Sequence, residues 1–157
     1  MKIKLIVVGK TSVGYLKNGE LEYQQRLKHY IRFEETIIPD IKNPKNISKS
    51  ELKNREGNLI LSKIDNSDEV VLLDDKGKMF SSSDFSSYLS EKMNRSTKSL
   101  VFVVGGAFGF SDALYQRANN KLSLSKMTFS HQMVRLIFKE QLYRAFTILK
   151  GEKYHHD

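Results

Sequence analysis

Short runs of apolar residues alternate with longer amphipathic segments along the chain. The apolar runs predict five β-strands, at residues 3–8, 33–38, 69–73, 100–104 and 122–124. Between and after them, apolar side chains recur every three or four residues, which predicts five helices. Apolar strands that alternate with helices are typical of a mainly parallel sheet covered on both faces. The pattern therefore predicts an α/β protein with a five-stranded sheet, in which ligands bind beyond the carboxyl ends of the strands.

Capping residues and glycines indicate where the predicted elements begin and end. Ser48 and Glu51 predict a capping box, and Ser83 is the predicted cap of the following helix. A turn containing Gly77 is expected at residues 74–78, after the third strand. Ser111 or Asp112 caps a short helix that runs to about residue 119, and a long last helix spans 131–150 before Gly151. The apolar stripes expected to face the core are Leu16, Tyr23, Leu27 and Tyr30; Leu52, Leu59 and Ile60; Phe85, Tyr88, Leu89 and Met93; and Val134, Phe138, Leu142, Ala145 and Leu149.

Composition narrows the class of protein. The chain has 157 residues, which suits one domain, and 26 Lys and Arg against 18 Asp and Glu give a formal net charge of +8. That charge favours a polyanionic partner such as nucleic acid. The chain has no cysteine and shows no basic-then-apolar leader at Met1, so we expect a protein of the reducing cytoplasm. Its apolar runs are far shorter than the roughly 20 residues of a membrane-spanning helix.

The sequence contains partial matches to known catalytic motifs, and none of these matches is complete. Gly9, Lys10 and Thr11 imitate the end of a phosphate-binding loop, but position 4 is Lys4 instead of the required glycine. The sequence around Ser111 approaches a nucleophile elbow without its final glycine. The four histidines do not form the helical pair that zinc hydrolases use, so no catalytic metal is expected. The glycines at 105, 106 and 109, which follow a buried strand, indicate either a ligand loop or a tight turn.

Two sequence runs resemble a known enzyme family. The run LSLSKMTFSHQMVR at 122–135 and the run EQLYRA at 140–145 are similar to those of the RlmH ribosomal RNA methyltransferases. The resemblance extends over the whole chain, from the opening Met-Lys-Ile strand with its Gly-Lys end, through Leu73 and the Gly-Lys pair at 77–78, to the closing Tyr154 and His155.

The resemblance implies a fold and a reaction. It implies one SPOUT methyltransferase domain over residues 1–157, with a trefoil knot in its carboxyl-terminal half, a homodimer, and S-adenosylmethionine as the methyl donor. The implied reaction is methylation at N3 of a pseudouridine in 23S ribosomal RNA, with the assembled 70S ribosome as the preferred substrate. The cofactor-binding residues that the resemblance implies are Leu73, Gly105, Leu124, Ser125, Lys126, Met127, Thr128 and Phe129.

The chemistry of this reaction requires a base and a cation, because pseudouridine N3 must lose a proton as the methyl group arrives. The candidates are His131, Arg135, Tyr154 and His155. We expect Arg135, Tyr154 and His155 to be the catalytic residues, with the tail closing over the cofactor either in its own chain or across a dimer. The family's tail usually continues with Lys or Arg, whereas His156 and Asp157 follow here, so a phosphate contact at that position is not expected.

Two other classes of protein remain possible on the sequence alone. One is a SPOUT-fold RNA-binding protein without methyl transfer, which would show a damaged glycine loop or a missing tail. The other is a flavodoxin-like nucleotide-binding domain, which would need a phosphate loop after the first strand. The sequence shows neither signature.

Overall fold

The chain folds as alternating strands and helices, in agreement with the hydrophobic pattern. A computed structural model describes residues 1–42 and 44–156. The strands are β1 (Lys2–Val8), β2 (Arg32–Ile38), β3 (Glu69–Met79), β4 (Ser99–Val104) and β5 (Asn120–Ser123), and the helices are α1 (Gly14–Leu27), α2 (Lys49–Leu61), α3 (Ser82–Asn94), α4 (Asp112–Arg117) and α5 (Met133–Leu149). A single turn of 3₁₀ helix spans Pro44–Asn46.

The five strands form one sheet in the order β2-β1-β4-β3-β5, and every neighbouring pair is parallel. Every residue of the central strand β4 is buried, because helices cover both faces of the sheet. The core on one face packs against α1, α3 and α5, and the core on the other face packs against α2 and α4. The predicted α/β class, five-stranded sheet and two covered faces are confirmed.

The third strand is longer than predicted. Residues 74–78 are not a free turn: β3 continues to Met79, and its pairing with β5 shifts between Leu73 and Lys78. Gly77 permits this continuation, because a Cβ at that position would lie 2.5 Å from the backbone nitrogen of Leu122. The partner strand β5 accordingly begins at Asn120, two residues before the predicted start.

Two cap predictions need correction. Ser48 accepts a hydrogen bond from the backbone nitrogen of Glu51, but the Glu51 carboxylate pairs with Arg55 and does not complete a capping box. The complete box instead joins Ser81 and Asp84, so α3 begins earlier than the predicted cap at residue 83.

The predicted apolar stripes are confirmed on α3 and α5, whose central members lie in the core. On α2, by contrast, Leu59 is exposed and Glu56 is buried. On the first helical segment, Tyr30 lies beyond the end of α1. In the part of the chain that the structure describes, no helix has the length and apolar character needed to cross a membrane.

Candidate active site

A cavity of about 460 Å³ lies at the carboxyl ends of β3, β4 and β5. Loops that follow these three neighbouring parallel strands form its walls, which is where open α/β sheets bind ligands. The lining residues are Leu73, Asp74, Asp75, Val104, Gly105, Gly106, Ala107, Gly109, Phe110, Leu122, Ser123, Leu124, Ser125, Met127, Thr128, Phe129, Ser130, His131 and Val134.

The glycine loop after β4 forms one wall with its backbone. A Cβ at Gly105 would lie 3.1 Å from the ring of Phe110, and a Cβ at Gly106 would lie 2.5 Å from the Glu56 carboxylate. Gly109 has a φ of +81°, a conformation that favours glycine. The loop therefore packs tightly on its outer side and presents main-chain groups to the cavity. Burial, with the nearby charge of Asp40, raises the pKa of the Glu56 carboxyl behind it.

The loop between β5 and α5 forms the opposite wall and is held by serine hydroxyls. Ser123 Oγ donates to the carbonyl oxygen of Ser125 at 2.9 Å, and Ser125 Oγ accepts from the backbone nitrogen of Met127 at 2.9 Å. Ser130 Oγ accepts from the backbone nitrogen of Met133 at 3.1 Å, where α5 begins. These bonds shape the loop, while the side chain of Met127 stays 77% exposed at the cavity.

A carboxylate that the sequence analysis assigned to a turn also lines this cavity. Asp74 Oδ2 accepts a hydrogen bond from the Tyr115 hydroxyl, and Asp74 Oδ1 accepts one from the backbone nitrogen of Lys76 at 2.8 Å. Burial opposes the charge of Asp74, but these hydrogen bonds and the charge of Lys121 outweigh it and lower its pKa. The cavity therefore contains a fixed negative charge.

Arg135 is not at this cavity. Its side chain is 1% exposed, and its guanidinium donates to the carbonyl oxygens of Val8, Gly9 and His131 and to Thr11 Oγ1. Burial lowers the pKa of this guanidinium. Arg135 therefore connects the start of α5 to the end of β1, and its guanidinium N–H groups are hydrogen-bonded within the protein.

The tail lies on the face formed by α1 and the second half of α5. The Tyr154 hydroxyl lies 3.1 Å from both the Tyr23 hydroxyl and Glu140 Oε1, and its ring packs edge-on against Tyr143. The Arg144 guanidinium lies 4.7 Å from the centre of the Tyr154 ring, and its Nη1 lies 3.3 Å from His155 Nδ1. Burial and the hydrogen bond with Tyr23 raise the pKa of Tyr154.

The predicted catalytic residues are therefore not brought together within one chain. Val134 lines the cavity at the start of α5, and the tail contacts the same helix at Glu140 and Arg144, six and ten residues further along. At 1.5 Å per residue these separations are about 9 Å and about 15 Å, and no described tail residue lines the cavity. The tail thus does not reach its own cavity in this structure. The predicted effect of Asp157 lies outside the described residues.

Among the predicted cofactor residues, all but Lys126 line the cavity. Sequence reasoning missed Asp74, Asp75 and Ser130 and gave His131 a lesser role, although His131 is exposed and lines the cavity. The sequence feature that could have identified Asp74 is its position directly after the apolar run of the third strand, because ligands are expected beyond the carboxyl ends of such strands. Among residues 1–42 and 44–156, no group of three or more His, Asp or Glu side chains is placed to hold a metal ion.

The fold and the cavity together define an α/β protein with a cavity of small-ligand size at the carboxyl ends of a parallel sheet. Residues 1–155 match the family model described as "Predicted SPOUT methyltransferase". The chain is also 59% identical over its full length to the full-length ribosomal RNA large subunit methyltransferase H of Parabacteroides distasonis. It is 58% identical to the protein of the same name from Christiangramia forsetii, over 99% of each chain.

A solved structure supports the fold independently. The probable methylase family protein from Haemophilus influenzae Rd KW20 superposes with a TM-score of 0.56 at 12% identity, over 99% of this chain and 70% of that one. The chain belongs to the SPOUT methyltransferase family, in the group of proteins named ribosomal RNA large subunit methyltransferase H.

Proposed function

We propose that this protein transfers the methyl group of S-adenosylmethionine to N3 of a pseudouridine in 23S ribosomal RNA, with the assembled 70S ribosome as the preferred substrate. The observation that carries the proposal is the cavity at the ends of β3, β4 and β5. It collects seven of the eight residues that the family resemblance assigns to the cofactor, from Leu73, Gly105 and the segment 124–129. Residues 1–157 act as one methyltransferase domain in this proposal.

The cavity suits S-adenosylmethionine in size and chemistry. Its volume of about 460 Å³ lies within the usual range for small-ligand sites. The backbone wall at Gly105 and Gly106 permits close approach of an adenine edge, and the apolar side chains of Leu73 and Leu124 are available to its faces. The fixed carboxylate of Asp74 offers a partner for the cationic methionyl end of the molecule.

When bound, S-adenosylmethionine supplies a methyl group on a positively charged sulfur. The protein's part is to hold the target base in line with that group and to accept the N3 proton. His131 is the residue we propose for the proton, because it is exposed at the cavity and a nitrogen of its imidazole can accept a proton. The N3–H bond breaks toward this base as the N3–CH₃ bond forms and the carbon–sulfur bond breaks. Arg135 acts indirectly, because it fixes the start of the helix that follows His131.

The tail residues Tyr154 and His155 act across a homodimer in this proposal. The support is that no described tail residue lines the cavity of its own chain, and that the tail contacts α5 about 9 to 15 Å beyond Val134. A symmetric dimer can place the tail of each copy beside the cavity of the other. The exposed apolar side chains of Leu21 and Ile37, which line the same cavity beside α1, provide contact area for such an association. The trefoil knot implied by the family also remains part of the proposal.

Ribosomal RNA is the proposed partner because the chain carries a net charge of +8 and its relatives are named for that substrate. The ribosome in turn implies that the protein works in the cytoplasm.

The direct test is the transfer of labelled methyl from S-adenosylmethionine to 70S ribosomes, to isolated subunits and to free ribosomal RNA, followed by mass spectrometry of the nucleosides. We expect label in 3-methylpseudouridine, with the highest rate on 70S ribosomes. Cofactor binding without transfer to any of these substrates would contradict the proposal and would favour an RNA-binding protein that has lost catalysis.

A further inference from the structure

A second cavity of about 460 Å³ lies between α3 and the edge of the sheet formed by β3 and β5. Its walls include Lys78, Phe80, Tyr88, Lys121 and Leu122. Leu122 also lines the first cavity, so the two cavities adjoin through strand β5. The proposed cofactor site does not use this second space.

The wall on the α3 side is aromatic and contains an unsatisfied hydroxyl. The rings of Phe80 and Tyr88 lie 5.4 Å apart, and Phe85 packs behind both of them. The hydroxyl oxygen of Tyr88 is buried and has no hydrogen-bond partner within residues 1–42 and 44–156. A buried hydroxyl without a partner costs stability, and Tyr88 is a lining residue of this cavity, so a polar group of a ligand that reached the hydroxyl would relieve that cost.

The free charge at this cavity is positive. Its two carboxylates are already engaged, since Glu91 pairs with Arg95 and Asp84 accepts from Ser81 in the helix cap. The lysines at 78 and 121, by contrast, have no carboxylate within salt-bridge distance in the described part of the chain, and both are exposed. Their ammonium groups lie over aromatic rings instead, Lys78 Nζ 4.8 Å from the centre of the Phe80 ring and Lys121 Nζ 5.7 Å from that of Tyr115. An anionic ligand would therefore meet two exposed lysines that no carboxylate pairs directly.

We propose that the second cavity binds a further nucleotide of the RNA substrate, with its base against Phe80 and Tyr88 and its phosphate near Lys78 and Lys121. Aromatic side chains that stack on bases, combined with lysines that meet phosphates, are the usual means of holding unpaired RNA. The Tyr88 hydroxyl donates to the base edge, which satisfies the orphan group. This inference rests on the proposed function, because it gives the same RNA a second point of attachment next to the methylated base.

The first test is Tyr88→Phe, which removes the hydroxyl and keeps the ring. The thermal midpoint should stay the same or rise, because an unsatisfied buried group is removed. The KM for 70S ribosomes should rise about three- to ten-fold, with kcat and the Kd of S-adenosylmethionine unchanged. A purely structural hydroxyl would not give this combination. A lower midpoint, or an unchanged ribosome KM, would overturn the inference.

The second test is Lys78→Glu, matched by Lys63→Glu as a control with the same change of charge. Lys63 is exposed in the segment between α2 and β3, before the amino-terminal end of β3, whereas Lys78 lies near the carboxyl-terminal end of that strand. Lys78→Glu should weaken binding of a fluorescent oligouridylate of about twelve nucleotides roughly ten-fold and should reduce the salt dependence of binding. Equal effects of the two variants would overturn the inference, because they would indicate general charge attraction alone.

The binding measurement keeps this inference distinguishable from the proposed function. If wild-type protein binds the oligouridylate and the variants Lys78→Glu and Tyr88→Phe weaken that binding, the second cavity is supported even where no methyl transfer is found. If methyl transfer proceeds and neither variant changes RNA binding or ribosome KM, the proposed function stands and the second cavity is refuted.

Discussion

The hydroxyl of Tyr115, on α4, donates a 2.5 Å hydrogen bond to the carboxylate of Asp74, in the extended part of β3. This bond fixes a negative charge at the rim of the proposed cofactor cavity. The Tyr115 ring also packs edge-on against Phe110, whose ring would lie 3.1 Å from a Cβ added at Gly105. The position of the charge is thereby tied to the position of the glycine loop.

Asp74→Asn should weaken the binding of S-adenosylmethionine about ten-fold or more, because a charge-assisted contact of roughly 1.5–3 kcal/mol is lost. Tyr115→Phe should have a smaller effect, since the carboxylate remains but is less firmly held. Isothermal titration with S-adenosylmethionine and with S-adenosylhomocysteine provides the measurement. The loss should be larger for the methyl donor, because S-adenosylhomocysteine lacks the charged sulfur. Asp65→Asn, before the amino-terminal end of β3, is the control, and equal affinities for all three variants would refute the role of Asp74.

The affinity for S-adenosylmethionine should be nearly constant from about pH 8 to pH 5. The pKa of Asp74 lies below its ordinary value of 3.8. The carboxylate therefore keeps its charge throughout this pH range and is protonated only in more acidic solution. Burial and the hydrogen bond to Asp74 raise the pKa of Tyr115 to about 12, so it remains a donor over this range. Titrations at several pH values test this expectation. An affinity that falls with a midpoint near pH 6 would indicate that a histidine controls cofactor binding instead.

Deletion of residues 154–157 should abolish transfer and leave the Kd of the cofactor nearly unchanged, because the tail lies away from its own cavity. The cross-dimer arrangement is tested by mixing this deletion variant with Thr128→Trp, which obstructs the cavity from an exposed position. Each variant alone should be inactive. After subunit exchange, about a quarter of wild-type activity should return, because half of the dimers are mixed and each has one complete site.

The same mixture also tests the alternative arrangement, in which each tail acts at the cavity of its own chain. If the tail serves its own chain, no mixed dimer contains a complete site and the mixture stays inactive. Size measurement of each variant before mixing shows whether both still form dimers, so that inactivity is not mistaken for a loss of assembly.

Elements with a clear hydrophobic period were predictable, and contacts between distant parts of the chain were not. The stripe of α5 was predicted because its apolar positions keep a helical spacing and face the core. The polar sequence at 74–78 predicted a turn, but pairing with β5 outweighs that local preference and places Asp74 on the cavity. Likewise, nothing local in the sequence shows that the Arg135 guanidinium donates hydrogen bonds to the carbonyl oxygens of Val8 and Gly9. These residues lie more than a hundred positions away along the chain.

Substitution of Arg135 should affect stability more than catalysis. Arg135→Lys keeps a charge but cannot reach all the carbonyl oxygens that the planar guanidinium serves, so the free energy of unfolding should fall by about 1–3 kcal/mol. Urea unfolding measures this loss, and kcat on 70S ribosomes, corrected for the folded fraction, should remain within a few-fold of wild type. A large fall in kcat without loss of stability would instead assign Arg135 a direct contact with substrate.

Gly77→Ala should disturb both cavities, because Gly77 lets β3 approach β5 closely. A Cβ at this position would lie 2.5–2.7 Å from backbone atoms of Leu122 and Lys121, which cannot move aside as a flexible side chain can. We expect a loss of about 1–3 kcal/mol in the free energy of unfolding, together with weaker binding of both cofactor and RNA.

Gly14→Ala is the matched control for this last prediction. It has no atom within 4 Å of the added Cβ in the described residues and lies at the start of α1, so it should leave stability unchanged or raise it by up to about 1 kcal/mol. Urea unfolding of both variants makes the comparison. If Gly77→Ala is as stable as Gly14→Ala and binds both ligands normally, the close pairing of β3 with β5 is not what shapes the two cavities.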